Sequence, residues 1–116
     1  MPEVTRPSLY GAQHPIEVLA TGRDEVDVVF VGPCCESGDI LTPAPGDPEA
    51  LAPRRVPRPH IGDVVIVGGA GAYCAGMATI NYNSYPQAPE VMLEADGTFR
   101  VLRRRQLLEQ VWTNEV

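Results

Sequence analysis

Hydrophobic residues in this chain fall into short blocks, each closed by glycine, proline or aspartate. Residues 16–21 read as a short strand ended by the Gly22-Arg23-Asp24 turn. Residues 26–31 (VDVVFV) are β-branched and nearly continuous, which predicts a strand buried on both faces or at a sheet centre. Gly32-Pro33 ends it, and Ile40-Leu41 opens another short strand. Residues 63–67 (DVVIV) predict a further strand. Residues 90–94 and 98–102 are two strands joined by Asp96-Gly97, a strong hairpin signal. Residues 1–15 are broken by Pro2, Pro7 and Pro15 and read as extended, with a turn at Tyr10-Gly11. The stretch 42–61 holds six prolines, which fix φ and remove ladder donors, so it is expected to be a surface loop. A short helix is expected around residues 74–79. The spacing of Leu107, Leu108 and Val111 predicts a C-terminal amphipathic helix over 103–112. Together these elements predict a mainly β fold: an antiparallel, Greek-key-like barrel or sandwich, with one short helix after Tyr73 and one at the end.

Composition narrows the function classes. The chain has 116 residues, enough for one modest domain, with 12 prolines and 11 glycines favouring turns over long helices. Its net charge of −6 argues against nucleic-acid binding. The clusters Arg54-Arg55-Arg58 and Arg103-Arg104-Arg105 are too short to outweigh it and read as solvated or ion-paired surface. No apolar run is long enough to cross a membrane, and the N-terminus lacks the regions of a signal peptide. Cys34, Cys35 and Cys74 are odd in number, and His14 and His60 stand apart. Neither a disulfide framework nor a zinc site is expected, and the chain reads as cytoplasmic and reduced. Every basic side chain is arginine; there is no lysine.

Three segments carry candidate chemistry. Val67-Gly68-Gly69-Ala70-Gly71-Ala72-Tyr73 follows a strand, but Cys74 stands where a dinucleotide fingerprint needs glycine, and no lysine is present for a P-loop. It reads as a tight turn, or as a backbone loop close to an anion with Tyr73 adding a hydroxyl. Gly32-Pro33-Cys34-Cys35-Glu36-Ser37-Gly38-Asp39 presents a thiol beside a carboxylate at a strand end. That pair suits proton donation, although adjacent cysteines are also common as small buried hydrophobes. Arg6-Pro7-Ser8-Leu9-Tyr10 offers a guanidinium fork for a carboxylate and a phenol.

In this order the three segments resemble the diaminopimelate decarboxylases, pyridoxal-phosphate enzymes of the alanine-racemase-like fold type. The first matches an R-P-x-L-Y segment and the second a G-P-x-C-E-S-G-D motif. Gly62-Asp63, Gly71-Ala72-Tyr73, Met77, Tyr82-Asn83-Ser84 and Pro89-Glu90-Val91 match the rest, so the resemblance covers essentially the whole chain. Glu36 after the cysteine favours diaminopimelate over ornithine, where related enzymes tend to carry aspartate. The wording over residues 82–91 leans toward a subgroup fused to an aspartate kinase. Two features depart from the pattern: the long proline-rich stretch between Asp39 and Gly62, and a missing basic residue near Tyr85-Pro86-Gln87.

The resemblance implies a C-terminal β-domain, residues 1–116, whose N-terminal TIM-type barrel bears the Schiff-base lysine and is absent here. Met1 then marks a boundary, engineered or of a truncated gene, and the fragment is expected to be inactive alone. The resemblance implies Cys35 as general acid, with pyridoxal phosphate as electron sink. It implies Glu36 for the distal ammonium of meso-diaminopimelate, Arg6 and Tyr10 for its distal carboxylate, and Tyr73 for the substrate and for the cofactor, at its phosphate. It also implies a homodimer in which the Cys35-Glu36 loop reaches the partner subunit's site. The alternatives are decarboxylation of ornithine or arginine, or a non-catalytic β-domain used for dimerisation.

Overall fold

The computed structural model describes residues 2–116; Met1, the expected boundary, lies outside them. The chain divides into two compact units, residues 3–78 and 79–116.

The first unit opens with a helix, not the expected extended segment. This helix, α1, spans Arg6–Tyr10. Pro7 sits in its first turn, where the missing N–H costs nothing. Gly11 closes it at φ 62°, a left-handed cap that glycine adopts without Cβ strain, and its N–H bonds back to Pro7 O at 2.9 Å. Pro7 is fully buried and seats the helix.

Strand β1 (Ile16–Val18) pairs antiparallel with β6 (Val65–Val67), placing Ile16 opposite Val67. Strand β2 (Glu25–Val28) pairs with β5 (Arg54–Pro57), so Val26 faces Val56 and Asp27 faces Arg55. Strands β3 (Pro43–Ala44) and β4 (Asp47–Leu51) form a hairpin turned by Gly46 at φ 81°. Residues 42–61 are therefore a hairpin and a strand, not a loop. Each ladder is only two strands wide, so every strand has an open edge on which a proline's missing donor goes unnoticed. Pro43 opposes Leu51 and Pro57 opposes Glu25 in this way.

The sheets are all antiparallel pairs, so the mainly β expectation holds, but no barrel closes. Nor is strand β2 buried on both faces: its residues alternate between exposed and half-buried. Where a helix is expected near residues 74–79 there is one 3-10 turn, Ala75–Met77.

In the second unit, β7 (Glu90–Leu93) and β8 (Phe99–Arg103) form the expected hairpin, turned at Gly97 with φ 85°. The predicted C-terminal helix is absent. Arg103 is taken into β8, and only a 3-10 turn, Leu108–Val111, follows, the preceding Leu107 N–H donating to Gln110 Oε1 at 2.7 Å. One turn is too short to use an apolar stripe of helical period.

The core is small. Among the described residues its apolar members are Val18, Cys34, Val56 and Cys74, joined by buried Thr5, His14, Asp39 and Thr42. Thr42 has no exposed surface and knits three segments, accepting from Phe30 N at 3.1 Å and, through its carbonyl, from Ala52 N at 3.0 Å. By contrast Val64, Val65 and Ile66 are 59, 40 and 44% exposed. Three of the six clustered arginines are ion-paired: Arg55 with Glu25 and Asp27, Arg58 with Asp24, Arg103 with Glu90. Among the described residues no helix is long and apolar enough to cross a membrane.

Candidate functional site

The loop of residues 32–39 is enclosed by a single bridge between Val31 and Ile40. Within it the two cysteines separate. Cys34 is buried and Cys35 exposed. Burial pushes the Cys34 thiol above its ordinary range, and the hydrogen bond and charge of Asp39 push it the same way. Cys34 is therefore a protonated, buried thiol, and Cys35 is the one open to solvent.

Asp39 organises the loop. Its side chain is 3% exposed, and its Oδ2 accepts the Cys34 N–H at 2.8 Å. A Cβ on Gly32 would lie 2.1 Å from that oxygen, so only glycine leaves room for the carboxylate. Glu36 turns outward. Its Oε1 accepts from Gly38 N at 2.9 Å and from Ser37 Oγ at 3.3 Å, which fixes the carboxylate at the mouth of a cleft.

That cleft, about 350 Å³, is lined by Ser8, Glu36, Ser37, Gly38, Asp47, Pro48 and Glu49. Three carboxylates and two hydroxyls make it suited to an ammonium or another polar cation. Ser8 of α1 donates to Gly38 O, bringing the helix onto the loop. The other side of the helix meets the 3-10 turn: Thr5 Oγ1 donates to Met77 O at 3.3 Å, and Tyr10 Oη reaches Met77 Sδ at 3.9 Å.

The glycine turn is braced from residues 14 and 15. Gly68 N donates to Pro15 O at 2.8 Å, and His14 Nδ1 lies 3.0 Å from Gly68 O. Tyr73 follows at φ 59°, a left-handed conformation costing a non-glycine residue roughly 1–2 kcal/mol, with its ring 69% exposed.

All five sequence-predicted residues thus lie in the first unit, and the structure groups them in part. Arg6 and Tyr10 are one turn apart on α1, on the same side of the helix. Arg6 makes no ion pair among the described residues. Glu36 lines the cleft, whereas Cys35, Arg6, Tyr10 and Tyr73 lie outside it. Ser8, Asp47 and Glu49 were not singled out from the sequence. Asp47 and Glu49 fell in the proline-rich stretch read as loop, and Ser8 occupied an unspecified motif position. Among the described residues no three His, Cys, Asp or Glu side chains gather to hold a metal ion.

Residues 1–71 match the family model of the pyridoxal-dependent decarboxylase C-terminal sheet domain. The chain belongs to this family. Among curated relatives, diaminopimelate decarboxylase of Streptomyces coelicolor is 40% identical over 98% of the chain and 26% of its own length. That of Escherichia coli K12 is 38% identical over 98% of the chain and 28% of its own. A crystal structure of a diaminopimelate decarboxylase superposes with TM-score 0.86 at 36% identity, covering 98% of this chain and 28% of that one. The Helicobacter pylori enzyme complexed with L-lysine gives TM-score 0.82 at 36% identity, covering 99% and 26%. The chain therefore spans about a quarter of the length of the relatives it matches. As a sheet domain of this family it can contribute to a pyridoxal phosphate site only in part. An exposed tyrosine hydroxyl on a turn of small residues fits the phosphate edge of the cofactor, but no lysine is present to bond its aldehyde.

Proposed function

We propose that this chain is the substrate-reading, proton-donating part of an amino-acid decarboxylase that converts meso-diaminopimelate to L-lysine and CO2. The observation that carries the reading is the loop at residues 32–39, which buries one thiol and presents the other beside a fixed carboxylate. The names of the relatives and the lysine bound to the Helicobacter pylori enzyme support the same chemistry.

Pyridoxal phosphate, when bound, supplies the electron sink for loss of CO2. The remaining work falls to side chains. Cys35 delivers a proton to the α-carbon that has lost its carboxylate, a step suited to a thiol held at a loop tip. Glu36 binds the distal ammonium, with Asp47 and Glu49 adding negative potential along the cleft. Arg6 and Tyr10 hold the distal carboxylate, the guanidinium by a bidentate pair and the phenol by a single bond. Tyr73 donates to the cofactor phosphate. A substrate carrying both an amine and a carboxylate at its far end needs partners of both signs, and these residues supply both.

The exposed apolar residues at 64–66 are the face on which the lysine-bearing N-terminal barrel packs. The intact enzyme works as a cytoplasmic homodimer whose Cys35-Glu36 loop enters the partner subunit's site. The runner-up reading, decarboxylation of ornithine or arginine, draws on the same acidic cleft but leaves Arg6 without a role.

The test is CO2 release by the full-length enzyme with pyridoxal phosphate, offered meso-diaminopimelate, ornithine and arginine separately. Turnover of diaminopimelate alone is expected, and turnover of the others, or of none, overturns the reading. Cys35→Ala is expected to lower kcat by roughly 10²–10⁴-fold with the dimer intact. A scaffold domain would show little kinetic effect.

A further inference from the structure

Cys35 sits in an eight-residue loop that no ladder supports beyond its single closing bridge. A peptide group on each side of it is bonded to one and the same residue. The N–H of Cys34, just before it, donates to Asp39 Oδ2 at 2.8 Å. The carbonyl of Glu36, just after it, accepts from Asp39 N at 3.0 Å. Asp39 closes the loop through a third bond, its own carbonyl accepting from Gly32 N at 2.8 Å. Its carboxylate lies in the space that a Gly32 side chain would fill, buried from water. A carboxylate accepting a backbone N–H in a dry site makes one of the stronger bonds available to a loop.

We propose that Asp39 is a positioning residue for the reaction. By gripping the peptide groups on either side of Cys35, it holds the Cys35 thiol and the Glu36 carboxylate in their reacting register. The proposal rests on the decarboxylase function put forward above. Asp39 itself touches neither substrate nor cofactor; it acts through the loop. Because the grip is local, losing it displaces Cys35 without opening the ladders, and a misplacement of about 1 Å is enough to cost on the order of 10²-fold in rate.

The experiment uses the full-length enzyme in three forms: unaltered, Asp39→Asn and Asp39→Leu. Asparagine keeps an oxygen able to accept from Cys34 N–H; leucine keeps the branched shape and removes the acceptor. Two quantities are read: kcat and KM for meso-diaminopimelate per folded molecule, and hydrogen exchange of the Cys34 amide by peptide-resolved mass spectrometry. Asp39→Leu is expected to speed Cys34 exchange at least tenfold and to lower kcat by about 10²-fold. Asp39→Asn is expected to restore both to within about fivefold of the unaltered enzyme, on the same scale.

Unchanged exchange in Asp39→Leu overturns the grip. Faster exchange with unchanged kcat overturns the positioning role and leaves Asp39 purely structural. If Asp39→Leu does not fold, the unaltered enzyme still decides: a Cys34 amide exchanging as fast as that of an open loop overturns the proposal. No CO2 from the unaltered enzyme, with the exchange pattern as expected, overturns the decarboxylase function while the grip on the loop stands.

Discussion

Gly32→Ala is the smallest change that tests whether the buried carboxylate organises the loop. The new methyl carbon would lie 2.1, 2.2 and 2.3 Å from Asp39 Oδ2, Oδ1 and Cγ, far inside contact distance, so the carboxylate must move. It is 3% exposed and has little room to yield without releasing Cys34 N–H. A hydrogen bond to a charged acceptor contributes about 1.5–3 kcal/mol. At 1.4 kcal/mol per factor of ten, its loss makes opening of the loop about 10- to 150-fold more frequent. The readout is alkylation of native protein, mapped peptide by peptide. In the unaltered enzyme Cys35 should react quickly, and Cys34 and Cys74, both buried, slowly. In Gly32→Ala the Cys34 rate should rise by the factor just derived while Cys74 stays protected. Cys34 labelling unchanged in a folded Gly32→Ala enzyme would refute the steric argument.

Two further outcomes follow from charge and from exposed surface. The hydrogen bond from Arg23 holds Asp63 below the usual carboxylate range, helped by His60 N–H at 2.7 Å, and Arg58 does the same for Asp24. Because these values are lower in the folded state, their contribution is full above the ordinary carboxylate pKa and is lost as pH falls through the depressed values. Melting temperature should therefore drop below about pH 4, and less steeply in Arg23→Gln; an equally steep acid limb in that variant would count against the pairing. Residues 1–116 expressed alone should self-associate through Val64, Val65 and Ile66, and sedimentation of a monomer with a sharp, high-temperature unfolding transition would sink that expectation.

The sequence was most informative where local chemistry dictates local geometry. Asp96-Gly97 needs a left-handed turn and makes one, so the β7–β8 hairpin was legible. The proline-rich stretch misled because proline is costly only where its nitrogen should donate, and paired strands with open edges spare Pro43 and Pro57 that demand. Helix α1 was missed although its signals were present, Pro7 in the first turn and Gly11 just past the last; five residues are too few to show a helical period. The continuous apolar run at 26–31 implied burial on both faces, yet β2 is half exposed, because a chain of this length offers little to cover it.

At the site, residue types were legible and their division of labour was not. Nothing in Cys34-Cys35 says which thiol is buried; that is decided by Asp39, four and five positions on, folding back beneath Gly32. Likewise Asp47 and Glu49 reach the Glu36 cleft only because Gly46 turns the hairpin that carries them.

Helix α1 touches the Gly38 loop through Ser8 and the Met77 turn through Tyr10, and its Pro7 is buried. A single five-residue helix thus touches two separate segments. Changes that slide it along one contact would also shift the loop that carries Cys35. Altering either contact is therefore a coupled problem, and compensating substitutions should be sought at the far contact of the helix rather than beside the altered one.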